Sequence, residues 1–231
     1  MHQCQGGSLT RRKPMHLLFD LDGTLTDPFP GITACIQYAL AGLGRPVPPT
    51  DTLRWCIGPP LKQAFVTLLG PQDEHLADAA ITKYRERFST VGLFENRVYP
   101  GIEGALDELR AGGYSLGVAT SKPTVFAQRI VEHFGLKRYF RSVDGSELDG
   151  TRVDKTSLIA HLLQRDAIEP AEALMIGDRE HDIIGAQRNG VAGLGVLWGY
   201  GTREELEAAG AYACAAAPGD LPAIIGMKRG R

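Results

Sequence analysis

Paired cysteines are missing from this chain. Cys4, Cys35, Cys56 and Cys214 lie scattered, with no CxxC spacing among them, which favours reduced thiols over zinc ligands or a disulfide framework. Long hydrophobic runs are missing too. No apolar stretch approaches the ~20 residues that a membrane helix requires, and the opening segment Met1 to Pro14 (MHQCQGGSLTRRKP) lacks the apolar centre of a signal peptide. Strong charge of either sign is absent: 25 basic against 27 acidic side chains give a formal net charge of -2, so neither bulk attraction to nucleic acid nor a membrane surface is expected. There is no internal repeat and no long low-complexity tract. What is left is a chain of 231 residues, 43% hydrophobic, long enough for one large domain or a core with a smaller insert. The polar opening 1–14 is expected to be a disordered extension, with Met15 a candidate natural start, and the protein is expected in the cytoplasm.

The most informative stretch is Asp20-Leu21-Asp22-Gly23-Thr24, which follows the apolar run Met15-His16-Leu17-Leu18-Phe19. A run this apolar, ending in a Gly-containing turn, predicts a strand of a parallel sheet, and in open α/β sheets ligands bind beyond the carboxyl ends of such strands. Two carboxylates so close need a cation. Turn and cap residues alone would also explain the acids, with Thr24 or Asp27 capping the next helix. An EF-hand is excluded by position, because its sixth and twelfth places hold Leu25 and Gly31. A carboxylate nucleophile beside a hard cation, with a second carboxylate able to move a proton, predicts phosphoryl transfer through an aspartyl-phosphate. The N–H groups of Leu21, Asp22 and Gly23 are candidates for an anion nest.

Three later segments carry the remaining parts of such a site. Tyr114 to Ala119 predicts a buried strand that ends in Thr120-Ser121, with Lys122-Pro123 opening a helix, so a hydroxyl and free N–H groups would meet a phosphate there; ordinary helix capping competes with this reading. Ala173 to Ile176 predicts another strand, followed by Gly177-Asp178-Arg179-Glu180-His181-Asp182. If a helix begins in that turn, Asp178 and Asp182 share one face, although acids at a helix N-terminus need no metal. Lys155 offers a positive charge, as most surface lysines would. Between Pro30 and Asn96 the apolar spacing turns helical, as in Ile32, Cys35, Ile36, Ala39 and Leu40. That predicts a helical insert between hinges near Asp27-Pro28 and Tyr99-Pro100-Gly101.

This order of signals resembles the haloacid dehalogenase-like (HAD) hydrolase superfamily over nearly the whole chain after Met15. Asp20 to Asp27 looks like its first motif, Thr120-Ser121 its second, Lys155 its third and Gly177-Asp178 to Asp182 its fourth. Ile57-Gly58-Pro59-Pro60-Leu61 resembles the phosphoglycolate phosphatase-like branch, whose relatives include nucleotidases. The resemblance implies an α/β fold, a Rossmann-like parallel sheet core formed by 15–29 and 96–231, with a helical cap domain over 30–95. It implies a Mg²⁺-dependent phosphatase acting on a small phosphorylated metabolite. Asp20 would attack phosphorus, and Asp22 would protonate the leaving oxygen and then activate water. Asp20, Asp178 and the carbonyl of Asp22 would hold the metal, with Asp182 behind them, while Thr120, Ser121 and Lys155 would hold the phosphoryl group. Lys155 is followed by Thr156 where many relatives carry proline, so Lys137 and Lys122 compete for its place. Asp22 argues against dehalogenase and phosphonatase chemistry; a sugar phosphomutase, a phospho-accepting signalling module and an inactive binding protein are the other readings. In the insert, Gly58-Pro59-Pro60 predicts a stiff loop facing the leaving group, with Lys62 or Arg54 as partner for a second anionic group.

Overall fold

The computed structural model describes residues 14–229, so Cys4 and, Pro14 apart, the expected extension lie outside the described residues. Along the chain come β1 (His16–Phe19), β2 (Thr26–Asp27), α1 (Phe29–Gly42), α2 (Leu61–Leu69), α3 (Ala77–Arg87), β3 (Arg97–Val98), α4 (Ile102–Ala111), β4 (Ser115–Pro123), α5 (Thr124–His133), β5 (Ser142–Ser146), α6 (Lys155–Arg165), β6 (Ala173–Gly177), α7 (Glu180–Arg188), β7 (Ala192–Val196), α8 (Arg203–Ala208), β8 (Ala213–Ala215) and α9 (Leu221–Arg229).

Six strands form one sheet in the order β5-β4-β1-β6-β7-β8, and every pairing in it is parallel. The expected α/β class with a Rossmann-like core is what the chain adopts. Its strands are apolar because both faces are covered. Leu17 and Phe19 of β1 point into one buried cluster, and Leu18 points into another with Leu158, Ile159 and Leu162 of α6. The chain leaves β1 for β4 on one side and later returns to β6 on the other, which makes the end of β1 the switch point where a crevice must open.

The helical spacing read from the insert corresponds to real burial: Ile32, Cys35, Ile36, Ala39 and Leu40 of α1 are all buried, as are Ala64 and Phe65 of α2. The two chain crossings into this segment pair with each other. β2 and β3 form an antiparallel ribbon, Thr26 opposite Val98 and Asp27 opposite Arg97. Arg97 and the Tyr200 hydroxyl both donate to the Asp27 carboxylate, and although burial pushes that carboxyl up, these partners hold it below its ordinary value. No helix among the described residues is long and apolar enough to cross a membrane.

Candidate active site

Register brings the predicted residues together. Phe19 lies level with Val118 of β4 and with Ile176 of β6, so Asp20, Thr120 and Asp178 leave three adjacent strands within a residue of one another. Thr120 and Ser121 do not cap a helix. β4 runs on to Pro123, and α5 opens at Thr124 with no side-chain cap bond, because the residue before a proline is driven into extended backbone. The Thr120 hydroxyl accepts the Lys122 N–H at 3.3 Å, which leaves its own proton for a further acceptor.

Lys155 takes the place its two competitors leave open. As the first residue of α6, behind the Asp154 cap that accepts from Ser157 N–H, it sends its ammonium inward. Nζ lies 2.8 Å from Asp20 Oδ1 and 2.6 Å from Asp182 Oδ1, and donates to the Ala119 carbonyl at 2.8 Å. Burial would lower the Lys155 pKa, but these two carboxylates hold it above the ordinary value. Lys137 faces solvent beside Glu132.

Asp178 and Asp182 do not share a helix face. α7 begins at Glu180, so Asp178 sits in the turn ahead of it and Asp182 in the first helical turn, where its carboxylate accepts the Arg179 N–H at 3.2 Å. The turn nevertheless gathers them: Asp20, Asp178 and Asp182 each present an oxygen within 4.8 Å of the others. Asp182, expected behind the metal ligands, thus joins the Asp20 and Asp178 carboxylates in one cluster, while the Asp22 carboxylate turns toward Lys122. Three glycines make room for the cluster. A Cβ on Gly23, Gly177 or Gly199 would come within 2.2–2.5 Å of atoms of Asp178 or Asp182.

Gly23 also has φ +87°, and its N–H is committed to Thr26 O at 2.8 Å. It therefore serves the turn and the Asp178 carboxylate rather than offering that N–H to a phosphate. Leu21 is buried, its carbonyl closing the same turn onto the Leu25 and Thr26 N–H groups. Gly23→Ala is expected to cost about 1–3 kcal/mol through strain at positive φ and displacement of Asp178, read as a lowered melting temperature together with slower turnover.

The electrostatics call for more positive charge. Burial, and then Asp182 and Asp20, push the Asp178 carboxyl well above its ordinary value; its bonded partners are the neutral Thr24 hydroxyl and Tyr200 N–H. Burial also pushes Asp182 up to about 6 despite Lys155. With all three acids ionised, three carboxylates against one ammonium would leave two excess negative charges in an all-oxygen donor set, which suits a hard divalent cation such as Mg²⁺.

Asp22 is paired with Lys122, at 2.7 Å from Oδ2 to Nζ. Burial pushes the Asp22 carboxyl above its ordinary value although Lys122 opposes this, and its Oδ1 is buried without a hydrogen-bond partner. Asp20, Asp22, Thr120 and Ser121 line a cavity of about 480 Å³. Gly58, Pro59, Pro60 and Lys62 line the same cavity from the helical segment.

The family model of haloacid dehalogenase-like hydrolases matches residues 17–196. The chain belongs to this haloacid dehalogenase-like hydrolase family. Within it the chain is a phosphatase. It is 52% identical over 193 residues to a 5′-nucleotidase of Pseudomonas aeruginosa, covering 84% of this chain and 87% of that protein. It is 38% identical over 195 residues to the tyrosine-protein kinase PtkA of Mycobacterium tuberculosis (84% and 66%) and 30% identical over 198 residues to a phosphoglycolate phosphatase of Psychrobacter arcticus (82% and 86%). The crystal structure of "a predicted phosphatase" from Clostridium acetobutylicum superposes with TM-score 0.87 at 43% identity, covering 92% of this chain and 98% of that one.

Two expected selectors in this HAD hydrolase are otherwise engaged. Arg54 donates to the Gly199 carbonyl at 3.0 Å and lies 4.5 Å over the Tyr200 ring. Lys62 is exposed and paired with Asp78 at 2.9 Å. Gly58, with φ +106°, packs against the Arg179 side chain, whose Nη1 donates to the Ile57 carbonyl at 2.8 Å, so the Pro59-Pro60 loop is tied to the turn that carries Asp178. Sequence reasoning missed Tyr200, whose N–H meets Asp178 and whose hydroxyl meets Asp27. The one signal was its place just beyond the end of β7.

Proposed function

We propose that this chain is a Mg²⁺-dependent phosphatase that hydrolyses a nucleoside 5′-monophosphate through an aspartyl-phosphate on Asp20. The observation that carries this reading is Asp20 at a strand end, its carboxylate against the Lys155 ammonium, opening with Asp22 and Thr120 into one cavity. An Asp20 oxygen attacks phosphorus while the bond to the leaving oxygen breaks, and Asp22 delivers a proton to that oxygen. Asp22, now a carboxylate, takes a proton from water as the water attacks the aspartyl-phosphate, which releases inorganic phosphate and restores Asp20. Thr120 donates to a phosphoryl oxygen, and Lys155 offsets the charge gathering there. Asp20, Asp178 and Asp182, with the Asp22 carbonyl, would hold Mg²⁺, which supplies charge neutralisation at the phosphoryl oxygens. In this reading 30–95 acts as a cap over a core formed by 15–29 and 96–231. The free thiols of Cys35, Cys56 and Cys214 fit a cytoplasmic place.

The choice of ester rests on the cavity and on the 52% identity to a 5′-nucleotidase. A two-carbon leaving group would fill little of this space. The lining carries Glu147 and Asp149 beside Arg85, with Glu147 paired to Arg152 and with Lys62 and Lys122 committed to Asp78 and Asp22, so the size of the cavity rather than its charge favours the nucleoside. Phosphate release by the purified protein is expected to show kcat/KM for adenosine 5′-monophosphate at least about tenfold above that for phosphoglycolate. The reverse ranking would return the protein to the phosphoglycolate phosphatase reading.

A further inference from the structure

We infer that Lys122 is a positioning residue that holds Asp22 for proton transfer and ties that hold to the seating of the helical segment on the core. The inference rests on the role proposed above for Asp22. Lys122 follows Thr120 by two residues near the end of β4, and its side chain is almost wholly buried, 7% exposed. Its ammonium touches Asp22 Oδ2 at 2.7 Å and lies 4.5 Å over the centroid of Phe88. Phe88 opens the π-turn Phe88–Gly92 that continues α3. It stacks on Tyr84 of α3 at 5.1 Å and meets Phe126 of α5 edge-on at 5.4 Å, so one aromatic group spans from the helical segment to the core.

The arrangement follows from the cost of an ammonium in an apolar surround. A buried lysine must be paired, and here an acid from the β1 turn pairs with it while an aromatic face from the helical segment covers it. With Oδ2 held by Lys122, rotation of the Asp22 carboxylate about its last bond is restrained. Oδ1 is then the oxygen that no protein group binds. A proton carrier needs one oxygen free of other partners and held in place, because a small misplacement removes most of the benefit of general acid catalysis. When Phe88 lifts away with its helix, the ammonium loses its cover and gains water. The hold on Asp22 loosens, so the proton donor is assembled only when the segment is seated.

The test compares an ester that needs leaving-group protonation, adenosine 5′-monophosphate, with one that needs little, p-nitrophenyl phosphate. Lys122→Met keeps the length and apolar stem and removes the charge. It is expected to lower kcat on the nucleotide about 10- to 100-fold and on the aryl ester less than about threefold, with circular dichroism unchanged. Phe88→Leu should shift the two substrates in the same sense by a smaller factor, and the double variant should be no worse than Lys122→Met alone, since both changes break one coupled unit. Should Lys122→Met fail to fold, Phe88→Leu carries the test by the same split. Equal losses on both esters, or a rise in KM for the nucleotide with kcat intact, would overturn the inference and make Lys122 a structural or substrate-anion group. Asp22→Asn separates this from the underlying reading. If that variant shows the split and Lys122→Met does not, the inference alone fails; if Asp22→Asn shows no split, the proton-carrying role of Asp22 falls and the inference falls with it.

Discussion

Asp20→Asn is expected to abolish turnover, by roughly three orders of magnitude or more, while the protein stays folded. The amide matches the carboxylate in shape, so the strand end keeps its packing and Lys155 keeps an oxygen to contact. In the proposed mechanism what disappears is the nucleophile: an amide oxygen does not form the acyl phosphate at a useful rate. The change also removes one of three buried acids that crowd within 4.8 Å, and relief of like-charge repulsion should leave the melting temperature unchanged or higher. That pairing of lost activity with unharmed stability distinguishes a chemical role from a structural one. Activity within tenfold of wild type on any phosphate ester, in protein freed of contaminating phosphatase, would remove Asp20 from the chemistry. A melting temperature many degrees lower would instead make Asp20 a structural group of the β1 turn.

The strands that carry the site were legible because they are buried on both faces and read as short apolar runs, each meeting a polar residue at or just past the end of that run. Asp20, Thr120 and Asp178 could therefore be read before any contact was known, whereas Lys155, which opens α6, was placed by the family resemblance alone. Partners were harder to read. Lys122 and Lys155 are both lysines near strand or helix ends, and nothing local tells which reaches Asp20. The choice is made by Asp154, which caps α6 and turns Lys155 inward, and by the proline after Lys122, which keeps that residue on an extended strand above Asp22. The expectation that Asp178 and Asp182 share a helix face failed by two residues, since a spacing of four says nothing about where the helix starts. Arg54 and Lys62 could not be assigned from sequence for a related reason. Their acceptors, the Gly199 carbonyl and Asp78, depend on how the helical segment packs on itself and on the β7–α8 connection.

The loop after β7 shows what only the fold supplies. Tyr200 gives its N–H to Asp178 and its hydroxyl to Asp27 on the β2–β3 ribbon, while Arg54 of the helical segment lies over its ring. Trp198 anchors the same loop by donating to the Thr24 carbonyl at 2.9 Å. The contacts of the Tyr200 hydroxyl with Asp27, of Arg54 with the Tyr200 ring and of Trp198 with Thr24 span 146 to 174 residues of sequence, a separation at which periodicity and motif spacing carry no information. The Tyr200 N–H and the Thr24 hydroxyl give Asp178 neutral donors in place of a cation, which keeps it available as a ligand.

Asp178→Asn is the second substitution with a large expected effect, and its readout is stability as well as rate. In the metal-free protein, Asp178 is a buried acid beside two others, with no cation bonded to it, and is held well above its ordinary pKa. Neutralising it should raise the melting temperature in the presence of chelator, because an amide can accept from Thr24 and Tyr200 without the charge cost. Wild-type protein should gain stability on adding Mg²⁺, by about 2.7 kcal/mol at one hundred times the dissociation constant, which for a chain of this length corresponds to several degrees. In the variant that gain should vanish at the same concentration, and the Mg²⁺ needed for half-maximal activity should rise at least about tenfold. Ca²⁺ should stabilise wild-type protein yet restore little activity after chelation, since its looser and higher coordination misplaces the nucleophile. A variant that keeps the full Mg²⁺-dependent rise in melting temperature would place the cation elsewhere. A variant less stable than wild type in chelator would show that the three acids, together with Lys155, are a structural network rather than a site built at the expense of stability to receive a metal.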